Sequence, residues 1–156
     1  MEPMESVWDY PRPPRLESTQ RHISVRHAGV LIADTRRALR VLETSHPPVY
    51  YLPPADVDFA FLQAAPGSSS CEWKGVARYW DVIVEGELIE RAAWSYAAPD
   101  PAFEALEDHL AFYADRLDDC RVDGERVRPQ PGSFYGGWIT ADLQGPFKGE
   151  PGSMGW

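Results

Sequence analysis

Residues 75–84, Gly-Val-Ala-Arg-Tyr-Trp-Asp-Val-Ile-Val, alternate in the manner of a β-strand with two different faces. A period of two places Trp80 on one face and Tyr79 on the other. Glu85-Gly86 is typical of a tight turn, and residues 88–96 return with a second alternating, aromatic-rich run. The stretch therefore predicts a long antiparallel hairpin, and the rest of the fold is arranged around it.

Shorter hairpins and strands are predicted on both sides of this stretch. Residues 23–33 form two alternating runs around Ala28-Gly29, and residues 121–127 surround an Asp-Gly turn signal. Residues 38–43 and 49–52 are separated by Ser-His-Pro-Pro, which cannot continue a helix, so both are predicted as strands.

Two short helices are predicted, at residues 54–63 and 102–110, each preceded by proline and with apolar side chains on one face. Residues 65–70, Ala-Pro-Gly-Ser-Ser-Ser, are predicted to be a flexible loop. The pattern as a whole predicts a mainly β, small single domain over residues 1–156, built from hairpins with two short helices.

The two ends of the chain are rich in residues that break regular structure. Residues 1–20 contain four prolines, and we expect this arm to dock on the body through Trp8 and Tyr10. Residues 129–156 are rich in glycine and proline, and we expect them to close a cleft.

Composition excludes several classes of function. The formal net charge is −9, which disfavours nucleic-acid binding, because that affinity depends on clustered cations. No apolar run is long enough to span a bilayer, and residues 1–5 do not resemble a secretory signal, so we expect a cytoplasmic protein. Two cysteines cannot build a Cys₄ zinc site, and no dinucleotide or phosphate-loop motif is present, so no metal and no cofactor are expected.

Lysine is scarce in a chain that otherwise uses arginine. There are 13 Arg and 2 Lys, and both lysines stand between an aromatic residue and glycine, in Trp73-Lys74-Gly75 and Phe147-Lys148-Gly149. An ammonium group is a compact point charge that a guanidinium does not replace. One possibility is that the lysines bind an anion, and the other is that they are ordinary solvated loop residues.

Aromatic residues concentrate around the long hairpin and the C-terminal segment. We expect a cleft with aromatic walls, the usual form of a small-molecule site, that binds a small polar or anionic ligand. The residues expected to line it are Tyr50, Lys74, Tyr96, Tyr135, Trp138 and Lys148. Its expected partner is a small molecule of unknown identity, and the oligomeric state is left open.

Two other functions remain open at this point. In an enzyme, Cys71 or Lys74 would be the nucleophile or reactive amine, and Glu43 or His46 would carry the proton. In a protein-interaction module, the proline-rich arm would present its aromatic side chains to a partner.

Several stretches share their residues and order with a known bacterial family. They are residues 5–14, 43–51, 71–77, 93–96, 111–113, 135–138 and 145–149. Together they resemble the family named domain of unknown function family 427, and the resemblance implies a mostly β fold of the β-tent type.

The resemblance does not imply a reaction. The family carries a nucleotidyltransferase-like label, but the acidic pair that such chemistry needs is not evident in this chain. Glu72 stands where the family often has proline, so a rigid turn before Lys74 is not implied. Other β-tent proteins bind zinc through two Cys-x-x-Cys pairs, which this chain lacks, and a zinc role is therefore not carried over.

Overall fold

The computed structural model describes residues 4–71, 74–132 and 134–156, with the backbone alone for Cys71. Its strands are β1 Glu5–Ser6, β2 Arg15–Ser18, β3 Ile23–His27, β4 Val30–Thr35, β5 Leu39–Leu42, β6 Val49–Tyr51, β7 Leu62–Cys71, β8 Gly75–Val84, β9 Glu87–Ser95, β10 Leu110–Phe112, β11 Asp119–Val122, β12 Glu125–Arg126, β13 Arg128–Pro129, β14 Trp138–Ile139 and β15 Leu143–Gln144. Short 3₁₀ helices cover Val7–Asp9, Pro54–Asp56, Phe59–Phe61 and Pro101–Leu106. The fold is therefore mainly β, as predicted.

The long hairpin forms the centre of the largest sheet. β8 and β9 pair antiparallel around Glu85-Gly86, and the sheet has the strand order β10-β9-β8-β7. Both turn residues have positive φ, which suits a tight hairpin connection. A register shift between Trp80 and Val82 bends β8 at its middle.

The second sheet has the order β12-β11-β3-β4 and contains both of the other predicted hairpins. β3 and β4 are joined through Ala28 and Gly29, which have positive φ, and β11 and β12 are joined through Asp123 and Gly124, which do too. The three hairpin predictions are confirmed.

A third sheet, β2-β5-β6, connects the N-terminal arm to the large sheet. The strands predicted at residues 38–43 and 49–52 are its β5 and β6. Directly after β6, Leu52 exchanges backbone hydrogen bonds with Leu110, the first residue of β10. This contact fixes β6 beside the edge of the large sheet.

The predicted helix at residues 54–63 is wrong in its second half. Two single 3₁₀ turns form instead, the second capped by Asp58, whose carboxylate accepts a hydrogen bond from the Ala60 N–H. Leu62 then enters β7, opposite Val82 of β8. Pairing with an existing strand satisfies the backbone donors and acceptors that a short isolated helix would hold only weakly.

The prediction for residues 102–110 is also corrected. The 3₁₀ helix Pro101–Leu106 is interrupted at Phe103, and Leu110 already belongs to β10. Here too the sheet edge captures residues whose local pattern is compatible with a helix.

The flexible loop predicted at residues 65–70 is wrong, because these residues lie within β7. The ladder with β8 shifts register between Ala64 and Ser68, so Pro66 and Gly67 bulge out of the pairing. Gly67 has φ +91°, and the Pro66 carbonyl accepts a hydrogen bond of 3.1 Å from the Arg91 guanidinium. The bulge places the proline and glycine where no ladder hydrogen bond is needed.

Both aromatic residues of the arm pack on the body. Tyr10 is 7% exposed, and its hydroxyl donates a hydrogen bond of 2.5 Å to Glu5. Trp8 is 40% exposed, and its indole N–H donates to the Pro146 carbonyl at 2.9 Å. Val7 and Tyr10 form a small core with apolar residues of β5 and of the C-terminal segment.

One further finding concerns the helices. No helix within the described ranges is long and apolar enough to cross a membrane. The narrower β-tent classification implied by the resemblance stays a prediction.

Candidate functional site

A cavity of about 440 Å³ opens between one face of the large sheet, β6 and the C-terminal segment. Strand alternation explains its walls, because Ala77 with Tyr79 on β8 and Val49 with Tyr51 on β6 are residues two apart. The lining residues are Arg12, Glu43, His46, Val49, Tyr51, Ser69, Ser70, Lys74, Ala77, Tyr79, Trp94, Tyr96, Tyr113, Gln130, Phe134, Tyr135, Gly136, Lys148 and Trp156.

Trp94 lies at the centre of the aromatic wall. Its ring centroid is 4.5 Å from that of Tyr113 and 6.2 Å from that of Tyr51, and the Tyr51 ring is 6.3 Å from Tyr96. These separations are typical of tilted and edge-to-face aromatic pairs. The rings therefore pack against one another as a continuous wall.

The C-terminal segment approaches this wall through glycine. A Cβ at Gly136 would lie 2.1 Å from the Trp94 ring, so no other residue fits without displacing the loop. The same loop is tied to the wall by Tyr113, whose hydroxyl donates to the Phe134 carbonyl at 3.2 Å. Burial raises the pKa of Tyr113 to about 12, so this hydroxyl keeps its proton at neutral pH.

The charged side chains of the cavity are mostly cationic. Arg12, Lys74 and Lys148 face a single carboxylate, Glu43, among the described lining residues. The Arg12 guanidinium lies 3.6 Å from the Glu43 carboxylate and donates to the Thr44 carbonyl at 3.0 Å. The cavity therefore holds an excess of positive side chains within a chain of net charge −9.

The ammonium group of Lys148 is hydrogen bonded within the protein and is not free to bind a ligand. Lys148 is 9% exposed and donates to the carbonyls of Ser153 at 2.7 Å and Met154 at 2.9 Å, with that of Trp156 at 3.5 Å. An ammonium group has three donors, and all three point to backbone oxygens. Lys148 therefore holds the end of the C-terminal segment in place.

Lys74 differs from Lys148 in its surroundings. Its backbone carbonyl accepts a hydrogen bond from Asp100 N–H, and its ammonium nitrogen lies 5.9 Å from the Phe103 ring centroid. Within the described ranges its ammonium group forms no ion pair and no hydrogen bond. Gly75, which follows it, has φ +109°, a conformation that favours glycine. Lys74 is the lysine whose charge remains available to a ligand.

His46 lies among these charges and is neutral at physiological pH. Burial, followed by the positive charges of Arg12, Lys148 and Lys74, lowers the pKa of His46 to about 4. Its ring makes an edge contact with Tyr135 at a centroid distance of 5.1 Å, and its Nε2 lies 3.6 Å from Glu43. Two of the four candidate catalytic residues, Glu43 and His46, are therefore neighbours.

Most of the residues expected at the site are at the cavity. Glu43, His46, Lys74, Tyr96, Tyr135 and Lys148 all line it. The side chain of Cys71 and all of Glu72 and Trp73 lie outside the described residues. The other cysteine, Cys120, is 3% exposed, and burial raises its pKa to about 12, so it is a core residue.

Tyr50 and Trp138 do not line the cavity, which corrects the expected site. They are 2% and 1% exposed and pack against each other in the main core, with ring centroids 5.7 Å apart. The Trp138 indole N–H donates to the Phe112 carbonyl at 2.9 Å. On β6 the face toward the cavity carries Tyr51, so its neighbour Tyr50 points the opposite way.

Several lining residues were missed by the sequence reasoning. Tyr79 had a usable signal, because alternation places it opposite the Trp80 face of β8. Arg12 and Gln130 had none, since each reaches the site from a proline-rich segment without a periodic pattern.

One comparison with known proteins adds to this geometry, and a search of curated proteins finds no match. The family model described as domain of unknown function (DUF427) matches residues 15–123. This range covers the strands that carry the aromatic wall, together with Glu43, His46 and Lys74. Because it spans well over half of the chain, the protein belongs to the DUF427 family, as its sequence resemblance implies.

Proposed function

We propose that the protein binds a small anionic molecule that carries a flat ring, with the charged group at Lys74 and Arg12 and the ring against the aromatic wall. The observation that carries this proposal is the excess of cationic side chains inside the cavity of an otherwise acidic protein. Lys148 is committed to backbone carbonyls, and Arg12 donates to the Thr44 carbonyl beside Glu43. Among the described residues, no hydrogen bond or ion pair engages the ammonium group of Lys74, so the fold does not need this third positive charge for its own contacts.

The dimensions of the cavity support a small ligand. Its volume of about 440 Å³ lies within the range of typical small-molecule sites, roughly 300–1,000 Å³. Trp94, Tyr51 and Tyr96 line one side of the cavity. The aromatic residues beside Lys74 lower the local dielectric constant and so strengthen the attraction between its ammonium group and an anion.

A binding experiment with defined probes tests the proposal. Isothermal titration calorimetry would use 4-hydroxyphenylacetate, indole-3-acetate and phenyl phosphate, each a ring with an anionic group, beside the neutral amide of each acetate. We expect at least one anion to bind and the neutral amides to bind more weakly. Replacement of the ammonium group in Lys74→Ala should reduce anion affinity by about tenfold or more, the loss of one charge-assisted contact.

The matched control is Arg78→Ala. Arg78 is also a cation and lies on β8, the strand that begins directly after Lys74, but it is exposed and does not line the cavity. Its removal should leave anion affinity unchanged. Equal binding of amides and anions, or equal losses in the two variants, would contradict the proposal.

An enzyme is the second candidate, favoured by the placement of Glu43 and His46 in the same cavity, 3.6 Å apart. In that case the bound anion would be a substrate, and Glu43 would accept a proton released in the reaction. The interaction-module alternative has less support, because Tyr10 is 7% exposed and Trp8 is hydrogen bonded to the body. The cytoplasmic location and the absence of a nucleic-acid partner stay predictions from composition.

A further inference from the structure

Gln130 is a buried amide with every polar atom engaged. It is 3% exposed and stands between two prolines in the segment that covers the cavity. Its Oε1 accepts a hydrogen bond of 3.0 Å from the Gly137 N–H. Its Nε2 lies 2.9 Å from the Lys148 carbonyl and 3.0 Å from His46 Nδ1.

These contacts determine which end of the amide is the nitrogen. A backbone N–H can only donate, so the atom facing Gly137 must be the amide oxygen. A carbonyl can only accept, so the atom facing Lys148 must be the NH₂ group. The orientation of Gln130 is therefore fixed by backbone groups and does not depend on how His46 is protonated.

The orientation of Gln130 in turn determines the tautomer of His46. The NH₂ group of Gln130 can only donate, so His46 Nδ1 must be the unprotonated, accepting nitrogen. The proton of the neutral ring is then on Nε2. Nε2 is 3.6 Å from the Glu43 carboxylate, which is longer than a normal hydrogen bond, so this N–H is not saturated by Glu43.

We propose that Gln130 is a positioning residue that holds His46 as the Nε2–H tautomer, so that His46 offers a hydrogen-bond donor to an anionic oxygen of the ligand. The inference rests on the proposed function for the identity of the ligand and deepens it by naming a third contact. With Lys74 and Arg12, the donor completes a set suited to a carboxylate or phosphate oxygen.

The surroundings of His46 also disfavour its charged form. A second proton would lie on Nδ1 and face the NH₂ group of Gln130, donor against donor. Within the part of the chain that the structure describes, the charged side chains that line the cavity with His46 are Arg12, Lys74, Lys148 and Glu43, and Tyr135 contacts its ring. The three cations outnumber the carboxylate, which agrees with the lowered pKa of His46.

Gly137 allows the close approach on which this arrangement depends. A Cβ at this position would lie 2.6 Å from the Pro47 carbonyl oxygen and 2.7 Å from Gln130 Oε1. Only glycine brings its N–H to Gln130 without moving the residues beside His46.

Nuclear magnetic resonance reads the tautomer directly. Long-range ¹H–¹⁵N correlation spectra of the full chain, with His46 assigned through a His46→Gln spectrum, distinguish a protonated Nε2 from a protonated Nδ1. We expect the Nε2–H form in the unsubstituted protein at neutral pH. Gln130→Met, which keeps the approximate size and removes the donor, should give a mixture of tautomers, and Gln144→Glu on the exposed face of β15 should leave the Nε2–H form unchanged.

Gln130→Glu provides a second variant with an opposite expectation. A carboxylate at this position would accept a hydrogen bond from Nδ1–H, so the ring proton should move to Nδ1 or the ring should become charged. Calorimetry with 4-hydroxyphenylacetate should show weaker binding in Gln130→Met by the factor by which the Nε2–H form is depleted, about twofold for an equal mixture of tautomers, because the apparent affinity scales with the fraction of the binding-competent form.

The two proposals fail in different ways. A proton on Nδ1 in the unsubstituted protein, or a tautomer that does not respond to Gln130→Met, overturns the positioning role even if the anions bind. Unchanged affinity in Gln130→Met overturns the donor role of His46. If the tautomer responds but none of the anions binds, the proposed function is wrong, and with it the ligand contact assigned to His46.

Discussion

Single residues decide how charge is distributed in the cavity. His46 is an instructive case, since a buried imidazole next to three cations loses its proton more readily than an exposed one. Burial and the charges of Arg12, Lys148 and Lys74 lower the pKa of His46 to about 4 in the folded protein. In the unfolded chain the ordinary value of about 6.5 returns.

This difference predicts an acid-sensitive contribution to stability. Between pH 6.5 and 4 the unfolded chain binds a proton at His46 that the folded protein does not, so the free energy of unfolding falls as pH falls through this window. The expected loss attributable to His46 is about 2 kcal/mol between pH 7 and pH 5. Urea unfolding at both values, in the unsubstituted protein and in His46→Gln, measures it.

The other three histidines and all carboxylates are retained in His46→Gln, so they contribute equally to both proteins. The variant should therefore lose less stability on acidification than the unsubstituted protein. Equal losses would mean that His46 titrates normally in the folded state.

Gly149 and Gly152 both have positive φ, but only Gly149 is closely packed, so variants at the two positions distinguish the cost of backbone strain from the cost of a steric clash. Gly149 has φ +110°, and a Cβ there would lie 1.8 Å from the Pro131 carbonyl oxygen, whereas Gly152 has φ +84° with nothing within 4 Å. Gly152→Ala should cost only about 1 kcal/mol of stability, the usual penalty of a left-handed conformation. Gly149→Ala must also move the backbone at Pro131 and should cost more, about 2–4 kcal/mol.

Denaturant unfolding of both variants gives the comparison. The difference between them isolates the contact, because the conformational penalty is shared. Equal destabilisation would show that the segment moves away from Pro131 without cost.

At the level of secondary-structure elements, the end of the C-terminal segment is held by the Lys148 ammonium group together with the hydrogen bond from the Gly149 N–H to the Ser153 hydroxyl and the contact between the Trp8 and Trp156 rings. Lys148 is bonded to carbonyls that lie five to eight residues further along the chain. Without it, these oxygens must find water, and the segment that packs over the cavity loses its internal support.

Lys148→Met tests this role against the only other lysine in the chain. Amide hydrogen exchange over residues 149–156 should become faster in Lys148→Met, because the buried carbonyl contacts are lost. Lys74→Met, which removes the cation proposed to bind the anion, should leave exchange in this segment unchanged. Equal exchange rates in the two variants would contradict the structural assignment of Lys148.

At the scale of the whole molecule, the arm joins the two ends of the chain. Val7 is fully buried and Tyr10 nearly so, in contact with Leu42, Ile139, Leu143 and Phe147. β1 pairs in parallel with β15, and Arg40 donates to the carboxylates of both Glu5 and Glu17. The arm is thus part of the core that carries Arg12 to the cavity.

Deleting residues 1–14 should therefore lower the melting temperature. Burial of Val7 and Tyr10 contributes about 1.5–3 kcal/mol each, and 1 kcal/mol corresponds to about 2–4 °C for a chain of this size. We expect a fall of at least about 6 °C by calorimetry. Val7→Ala should account for part of it and Met4→Ala for almost none, since Met4 is 57% exposed. An unchanged transition after the deletion would show that the arm contributes no stability.

The three hairpins, the strands β5 and β6 and the mainly β class could be predicted from the sequence. Alternation and turn residues are patterns among neighbours in the sequence, so residues 75–96 predict a hairpin without reference to the rest of the chain. Local patterns gave the wrong secondary structure where a residue pairs with the edge of a sheet, as Leu62 does with β8 and Leu110 with β9. A short helix cannot compete with backbone pairing that the rest of the fold already provides.

Only some of the residues that line the cavity could be predicted from the sequence. Lysine is scarce in this chain, which made Lys74 and Lys148 candidates for the site, and both line the cavity. The sequence could not predict that the ammonium group of Lys148 would be hydrogen bonded to backbone carbonyls. Alternation shows that Tyr50 and Tyr51 face opposite ways, and only the packing of β6 decides which one faces the cavity.

The pairing of His46 with Gln130 belongs to the tertiary structure alone. The two residues are 84 positions apart and lie in segments without periodicity. Their contact exists because Gly137 and Lys148 present backbone groups that orient the amide. Such a network has no local signature, since each of its members is fixed by atoms from a distant part of the chain.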